Sequence, residues 1–110
     1  LAKTSQQPTG RFTFTMKREF EVELSRLFTV LNDVQSWAVF DRPRVLTSKG
    51  GKISFAFDDK TRAHAQFVVK DGAAIVLQIQ HELIPSEAGI KPRDLYWREV
   101  LSGVQRRLEI

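Results

Sequence analysis

The sequence predicts an α+β fold in which a curved antiparallel sheet wraps around a long C-terminal helix. In residues 81–110, bulky apolar side chains recur at spacings of four, three and four, which places them on one stripe of a helix. Most of the chain before this stretch alternates apolar and polar residues, as strands with one buried face do. The turns between those strands are short, so we expect neighbouring strands to be antiparallel.

The order of elements follows from changes in this periodicity. A long strand is predicted over residues 12–22, and the apolar spacing over residues 24–31 then predicts a helix. That helix either stops at Asn32–Asp33 or continues into a second short helix carrying Trp37 and Phe40. Four further strands are predicted over residues 45–48, 52–57, 61–70 and 73–83.

The alternation also predicts which side chains face the core. The strand over residues 61–70 should point Ala63, Ala65, Phe67 and Val69 inward. The last strand should point Ile75, Leu77, Ile79, His81 and Leu83 inward. In the final helix, the buried stripe should consist of Trp97, Leu101, Val104 and Leu108. We expect Ser86 to cap this helix and its regular part to begin near Pro92.

Composition limits the domain organisation and the classes of partner. Residues 1–10 are polar and contain Pro8 and Gly10, so we expect a disordered lead-in or linker before a single domain over residues 11–110. The chain begins with Leu1 rather than methionine, which fits the C-terminal part of a longer protein. It contains no cysteine and no apolar run of the ~20 residues that a membrane span needs. We therefore expect a cytoplasmic protein without a membrane span.

The net charge of +4 does not by itself predict a nucleic-acid interface. The seventeen basic residues are scattered among thirteen acidic ones rather than clustered, which favours a solvated basic surface. Two histidines on opposite predicted faces, with no cysteine, make a poor metal site. We therefore expect neither a metal nor another cofactor.

Three stretches resemble a known family. They are REFEVELSRLF, KISFAFDDKTRAHAQFVVKDG and IQHELIPSE followed by YWREVLSGVQRRLE, with sixteen residues from His81 to Trp97. Together they resemble the bacterial homologues of the heat-shock protein 90 ATPase activators, in the START-like (SRPBCC, Bet v 1-like) superfamily. The resemblance covers roughly residues 11–109 and implies a helix-grip fold. This chain departs from it at Glu23, where relatives carry proline, and at Leu31, where they carry tryptophan. The eukaryotic activators also use a separate N-terminal module with an Asn/Trp/His-rich motif, and these 110 residues contain no such motif, so the resemblance does not imply chaperone activation.

In such folds an apolar ligand can bind between the concave sheet and the long helix. The alternation and the helical phase point one set of side chains towards that place, and these are our candidate ligand-binding residues. An alternative is that they simply fill the core. The set consists of Phe14, Met16, Trp37, Phe40, Phe55, Phe57, Phe67, Leu77, Ile79, His81, Trp97 and Leu101.

His81 is also the one weak candidate for a catalytic residue. An inward histidine with a pKa near neutrality could act as an acid, a base or a ligand hydrogen-bond partner. The alternative is a hydrogen-bonded histidine that supports the start of the final helix. No nucleophile elbow, Gly-rich phosphate loop or triad spacing is present in the sequence.

Three functions fit these observations. The first is a non-catalytic START-like domain that binds a small apolar ligand or a protein segment between sheet and helix. The second is a cyclase- or hydrolase-like enzyme that uses His81 in that cavity. The third is a structural or dimerisation module, such as a homodimer, with a solid core. The fold does not choose among them.

Overall fold

In the part of the chain that the structure describes, six antiparallel strands form one sheet, and two helices lie on one of its faces. The structure, a computed structural model, describes residues 3–6, 10–72 and 74–109. The strands are β1 (Lys3–Gln6), β2 (Phe12–Phe20), β3 (Arg44–Lys49), β4 (Lys52–Ala56), β5 (Arg62–Val69) and β6 (Ile75–Ile84), in the spatial order β1-β2-β6-β5-β4-β3. The helices are α1 (Leu24–Asn32) and α2 (Ile90–Leu108), with 3₁₀ turns at Val34–Ser36 and Glu87–Gly89. This confirms the predicted α+β, helix-grip architecture.

The centre of the sheet is the long pairing of β2 with β6. Met16 lies opposite Ile79 and Phe20 opposite Ile75, and all four side chains are buried. Opposed apolar side chains on one face of an antiparallel pair stabilise both the sheet and its register. The two-residue alternation therefore correctly predicted the inner face here.

The inward position predicted for Leu83 is wrong. Phe14 pairs with His81, but Phe12 pairs with Ile84, so β6 contains an extra residue at this point. Leu83 takes a positive φ of 64° in this bulge, and the alternation shifts by one residue. Ile84 is buried in its place.

The predictions for β5 hold except at its end. Ala63, Ala65 and Phe67 are buried as predicted. Val69 is 61% exposed, because it is the last residue of the strand and lies next to the turn that leads to β6. Ala73, the predicted start of the last strand, lies outside the described residues.

The expected disordered lead-in contains a strand. Lys3–Gln6 forms β1 and pairs with Phe12–Thr15 of β2, with Thr4 opposite Phe14. Backbone hydrogen bonds hold such a pairing whatever the side chains are. Because the side chains here are polar, the sequence shows no apolar alternation from which this strand could be predicted. The other residues of the predicted lead-in, 1–2 and 7–9, lie outside the described residues.

In the connection from α1 to β3, one of the two side chains predicted to face inward does so and the other does not. The helix ends at Asn32 and a 3₁₀ turn follows, after which Trp37 is buried as predicted. Phe40 is fully exposed rather than inward, because residues 37–43 form an irregular segment without helical phase. We call residues 36–42 the α2-facing segment.

The C-terminal helix lies against the concave face of the sheet. The predicted stripe of Trp97, Leu101, Val104 and Leu108 is buried. Ser86 precedes the 3₁₀ turn and makes no capping hydrogen bond with its side chain, so α2 begins at Ile90 after Gly89. No helix among the described residues is long and apolar enough to cross a membrane.

Candidate functional site

The space between sheet and helix is filled by aromatic rings. Trp97 of α2 meets Trp37 at 5.6 Å and Phe57 at 6.1 Å between ring centroids, and Trp37 meets Phe55 at 5.3 Å. These edge-on arrangements are the favoured geometry of packed aromatic pairs. The centre of the fold is therefore occupied by the protein's own side chains.

The sequence-predicted site residues are brought together with one exception. Phe40 lies on the surface, at the rim of a cleft. The remaining candidates are all buried in one core: Phe14, Met16, Trp37, Phe55, Phe57, Phe67, Leu77, Ile79, His81, Trp97 and Leu101.

A chain of hydrogen bonds runs from this core to the surface. The Trp97 indole Nε1 lies 3.0 Å from His81 Nδ1, and His81 Nε2 lies 2.7 Å from Thr61 Oγ1. Thr61 in turn donates to Asp59 Oδ1. Asp59 is the last link, and its Oδ2 accepts a hydrogen bond of 2.8 Å from Arg93 Nη2.

The types of donor and acceptor fix the direction of this series of hydrogen bonds. An indole N–H can only donate, so His81 Nδ1 must be the acceptor and carry no proton. The neutral imidazole then carries its proton on Nε2 and donates it to the Thr61 hydroxyl oxygen. The hydroxyl hydrogen remains available to Asp59, which is ionised and only accepts. Every member is satisfied when His81 is neutral.

Burial, together with the nearby Arg93 cation, lowers the pKa of His81 to about 3. Both ring nitrogens are engaged and the residue is completely buried. A general acid or base needs a titratable proton within reach of a substrate. In this arrangement His81 orders the core, and the geometry does not offer it to a substrate.

Arg93 joins the hydrogen-bonded chain to the α2-facing segment. Its Nη1 lies 3.0 Å from Asp41 Oδ2, while its guanidinium carbon lies 4.3 Å from the centroid of the Phe57 ring. The Tyr96 hydroxyl also donates to the backbone carbonyl of Asp41. Two side chains of α2 thus hold the same residue of the segment.

Asp59 belongs to the turn between β4 and β5. Burial raises the pKa of its carboxyl, but hydrogen bonds from the Thr61 hydroxyl and amide and from Arg93 outweigh this and leave the pKa lowered. The Thr61 amide to Asp59 Oδ1 bond, 2.9 Å long, is the local side-chain bond that favours aspartate in turns. Asp59 therefore serves both the turn and the ion pair with α2.

The second histidine, His64, lies on the outer face of β5. Its Nδ1 is 2.9 Å from the Ser54 hydroxyl and its Nε2 is 3.3 Å from Glu82. It does not meet His81, which faces the core. Among the described residues, no group of three or more histidine, aspartate or glutamate side chains could hold a metal ion.

Three surface clefts follow α2 on either side of the α2-facing segment. The largest, about 430 Å³, is lined by Ala38, Val39, Phe40, Asp41, Arg42, Tyr96 and Glu99. A cleft of about 390 Å³ shares Asp41 and Tyr96 with it and includes Arg93. A smaller one of about 190 Å³ shares Ala38 and reaches Gly103 and Arg107. We call these three clefts the α2 groove.

Sequence reasoning missed Thr61, Arg93 and Asp41 as parts of the polar network. Arg93 and Asp59 are 34 positions apart, and neither residue belongs to a recognisable motif. The sequence offered one signal, which was that Arg93 is the single arginine in the first turns of a helix with a predicted buried apolar stripe. That signal does not identify its partners.

The architecture is that of a START-like domain. Solved structures share it: a START superfamily protein from Mycobacterium smegmatis has a TM-score of 0.70 at 9% identity, covering 88% of this chain and 97% of that one. An AHSA1-like protein from Aeromonas hydrophila has a TM-score of 0.60 at 18% identity, covering 86% and 92%. A protein from Rhodobacter sphaeroides has a TM-score of 0.66 at 14% identity, covering 99% of both chains.

These similarities establish the fold, because identities this low do not carry function. No protein-family model matches the chain, and a search of curated proteins found no match. The function must therefore be argued from the site.

Proposed function

We propose that this chain is a non-catalytic START-like binding domain that takes a small apolar ligand with an aromatic or aliphatic body in the α2 groove. The observation that carries the proposal is Phe40, a fully exposed aromatic side chain at the rim of the largest cleft. Exposed aromatic surface is unfavourable in water. A ligand that covers it would gain a binding free energy of about 25 cal/mol for each Å² of apolar surface removed from water.

The lining of the groove suits such a ligand. Ala38, Val39 and Tyr96 supply an apolar floor, while Arg42 and Glu99 supply charges at the edge. Apolar walls with a few polar groups are typical of small-molecule sites. A ligand here would occupy the edge of the sheet–helix interface rather than its filled centre.

The position of His81 supports a non-catalytic role. The enzyme hypothesis requires this histidine to line an open cavity, whereas it is completely buried and lines none of the described clefts. A second candidate, a structural or dimerisation module, is favoured by the filled aromatic core. The experiment therefore has to separate ligand binding from self-association.

The test begins with native mass spectrometry of the freshly purified protein, compared with its denatured mass. A small-molecule mass that is lost on denaturation supports the proposal. The groove is then probed by titrating anilinonaphthalene sulfonate while recording backbone amide NMR spectra. We expect the shifts to concentrate in residues 38–42 and 96–99.

Phe40→Ala should weaken binding of the probe by roughly 10- to 150-fold, since an aromatic ring that the probe covers contributes roughly 1.5–3 kcal/mol. Leu95→Ala is the control, because Leu95 is an apolar side chain on α2 that is 58% exposed and lines none of the described clefts. Equal effects of the two variants, or shifts that map outside the groove, would refute the α2 groove as the site. A clean bare dimer would support the module instead.

A further inference from the structure

Strand β3 forms an edge of the sheet and exposes its whole length. It pairs with β4 on one side and is the last strand in the order, so among the described residues its other edge has no partner. All six of its residues are exposed, including the apolar Val45 and Leu46. An unpaired edge offers backbone donors and acceptors to any extended segment that can lie beside it.

The charged residues of the β3–β4 hairpin are all basic. Residues 42–57 contain Arg42, Arg44, Lys49 and Lys52 and no acidic residue, although acids and bases are interleaved in the chain as a whole. None of the residues of β3, β4 and β5 is acidic either. The basic character of this part of the sheet is therefore not compensated within neighbouring strands.

Two of these cations lie directly opposite each other. Lys49 pairs with Lys52 in the register of β3 with β4. Like charges at directly opposed positions destabilise a sheet. Arg44, at the other end of β3, makes no ion pair among the described residues. An acidic segment beside β3 would relieve both ends of the strand.

We propose that β3 is a docking edge for an acidic, extended segment of another protein, which adds to the sheet as a further strand. Backbone hydrogen bonds to β3 would supply the pairing, as in other strand-addition complexes. Arg44, Lys49 and Lys52 would select a partner with carboxylates near the ends of its strand, and Val45 and Leu46 would contact apolar residues between them.

A second copy of this chain does not fit the same edge. Antiparallel self-pairing of β3 would bring the Arg44 end of one copy against the Lys49 end of the other. That arrangement places cation against cation at both ends of the new pairing. The charge on the edge thus favours an acidic partner over a homodimer.

Edge lysines and a bulge can also serve only to prevent aggregation, and β3 has a register shift between Val45 and Thr47. The two roles make different predictions. A purely protective edge repels or ignores every added strand, whereas a docking edge binds an acidic strand and rejects a basic one.

The experiment uses the whole chain and two capped heptapeptides, one alternating glutamate with valine and one alternating lysine with valine. We expect the acidic peptide to shift the backbone amide signals of residues 44–49 and 52–56, and the lysine peptide to leave them unchanged. Added sodium chloride should weaken the binding, because exposed charges are screened by salt.

The double variant Arg44→Glu, Lys49→Glu should weaken binding of the acidic peptide by about tenfold. The control is Lys17→Glu, Lys91→Glu, which changes the net charge equally at exposed positions on β2 and α2. Circular dichroism checks that both variants are folded. If both weaken the peptide equally, if both peptides bind alike, or if neither binds, the proposal is wrong. Concentration-dependent dimerisation through residues 44–49 would also overturn it in favour of a second copy.

Discussion

The indole Nε1 of Trp97 lies 3.0 Å from Nδ1 of His81, and both residues are completely buried. This contact ties the long helix to the central strand β6 at the middle of the core. Because the indole can only donate, the contact also selects the neutral imidazole with its proton on Nε2. A protonated His81 would place two N–H groups face to face, so the native packing and a charged His81 are incompatible.

Stability should therefore fall as His81 is forced to gain a proton. The pKa of His81 is lowered from 6.5 to about 3 in the folded state, so below pH 6.5 the unfolded chain binds a proton that the folded chain does not. The resulting stability is fully present above pH 6.5 and is lost progressively as the pH falls towards 3. Between pH 7 and 5 we expect a loss of about 2 kcal/mol in the free energy of unfolding from this group.

Urea unfolding at several pH values between 7 and 5 measures this loss. In His81→Gln the amide oxygen can accept from Trp97 and the amide nitrogen can donate to Thr61, but nothing titrates. That variant should lose most of the pH dependence, while His64→Gln should retain it. A His81→Gln variant with the wild-type pH profile would show that the dependence comes from another group.

The sequence predicted the fold well because its dominant signal is apolar periodicity, which reports burial directly. Phe14, Met16 and Ile79 were assigned correctly for this reason. The signal fails where backbone geometry changes the phase. The bulge at Leu83 exchanged the roles of Leu83 and Ile84, and the irregular segment turned Phe40 outward.

The polar part of the candidate site could not be predicted in the same way. Asp41, Asp59 and Arg93 come from three separate elements and meet only in the folded chain. Each residue taken alone resembles an ordinary exposed charge. Hydrogen-bond partners depend on register and on turn geometry, and neither can be read from alternation. The inward face of His81 could be predicted, but its partners could not.

Because the core is filled, shortening the Leu77 side chain should destabilise the fold strongly. This side chain is completely buried on β6, so Leu77→Ala should lower the free energy of unfolding by about 2–5 kcal/mol through lost burial and an unfilled cavity. Leu95→Ala, at a position that is 58% exposed, should change it by less than about 0.5 kcal/mol. Urea unfolding compares the two. A small effect at Leu77, together with tighter binding of an apolar probe, would instead reveal a central ligand pocket.

Substitution by alanine should change the stability of the fold in opposite directions at Gly89, just before α2, and at Gly103, within it. A Cβ added at Gly89 would lie 2.8 Å from Ile84 Cγ2, and Ile84 is itself buried, so neither group has room to move away. We expect Gly89→Ala to destabilise the fold by about 1–3 kcal/mol, the usual cost of overpacking. The strain would fall where the bulged end of β6 leads into the helix.

At Gly103 the nearest atom to an added Cβ is Arg106 Nη2, at 3.7 Å, an ordinary contact with the end of a flexible side chain. Gly103 lies inside α2, where alanine is favoured over glycine by about 0.5–1 kcal/mol. Gly103→Ala should therefore raise the thermal unfolding midpoint, and Gly89→Ala should lower it, in parallel melts followed by circular dichroism. Equal shifts in both variants would mean that Ile84 can yield, and that the entry to α2 is less tightly packed than the distance of 2.8 Å indicates.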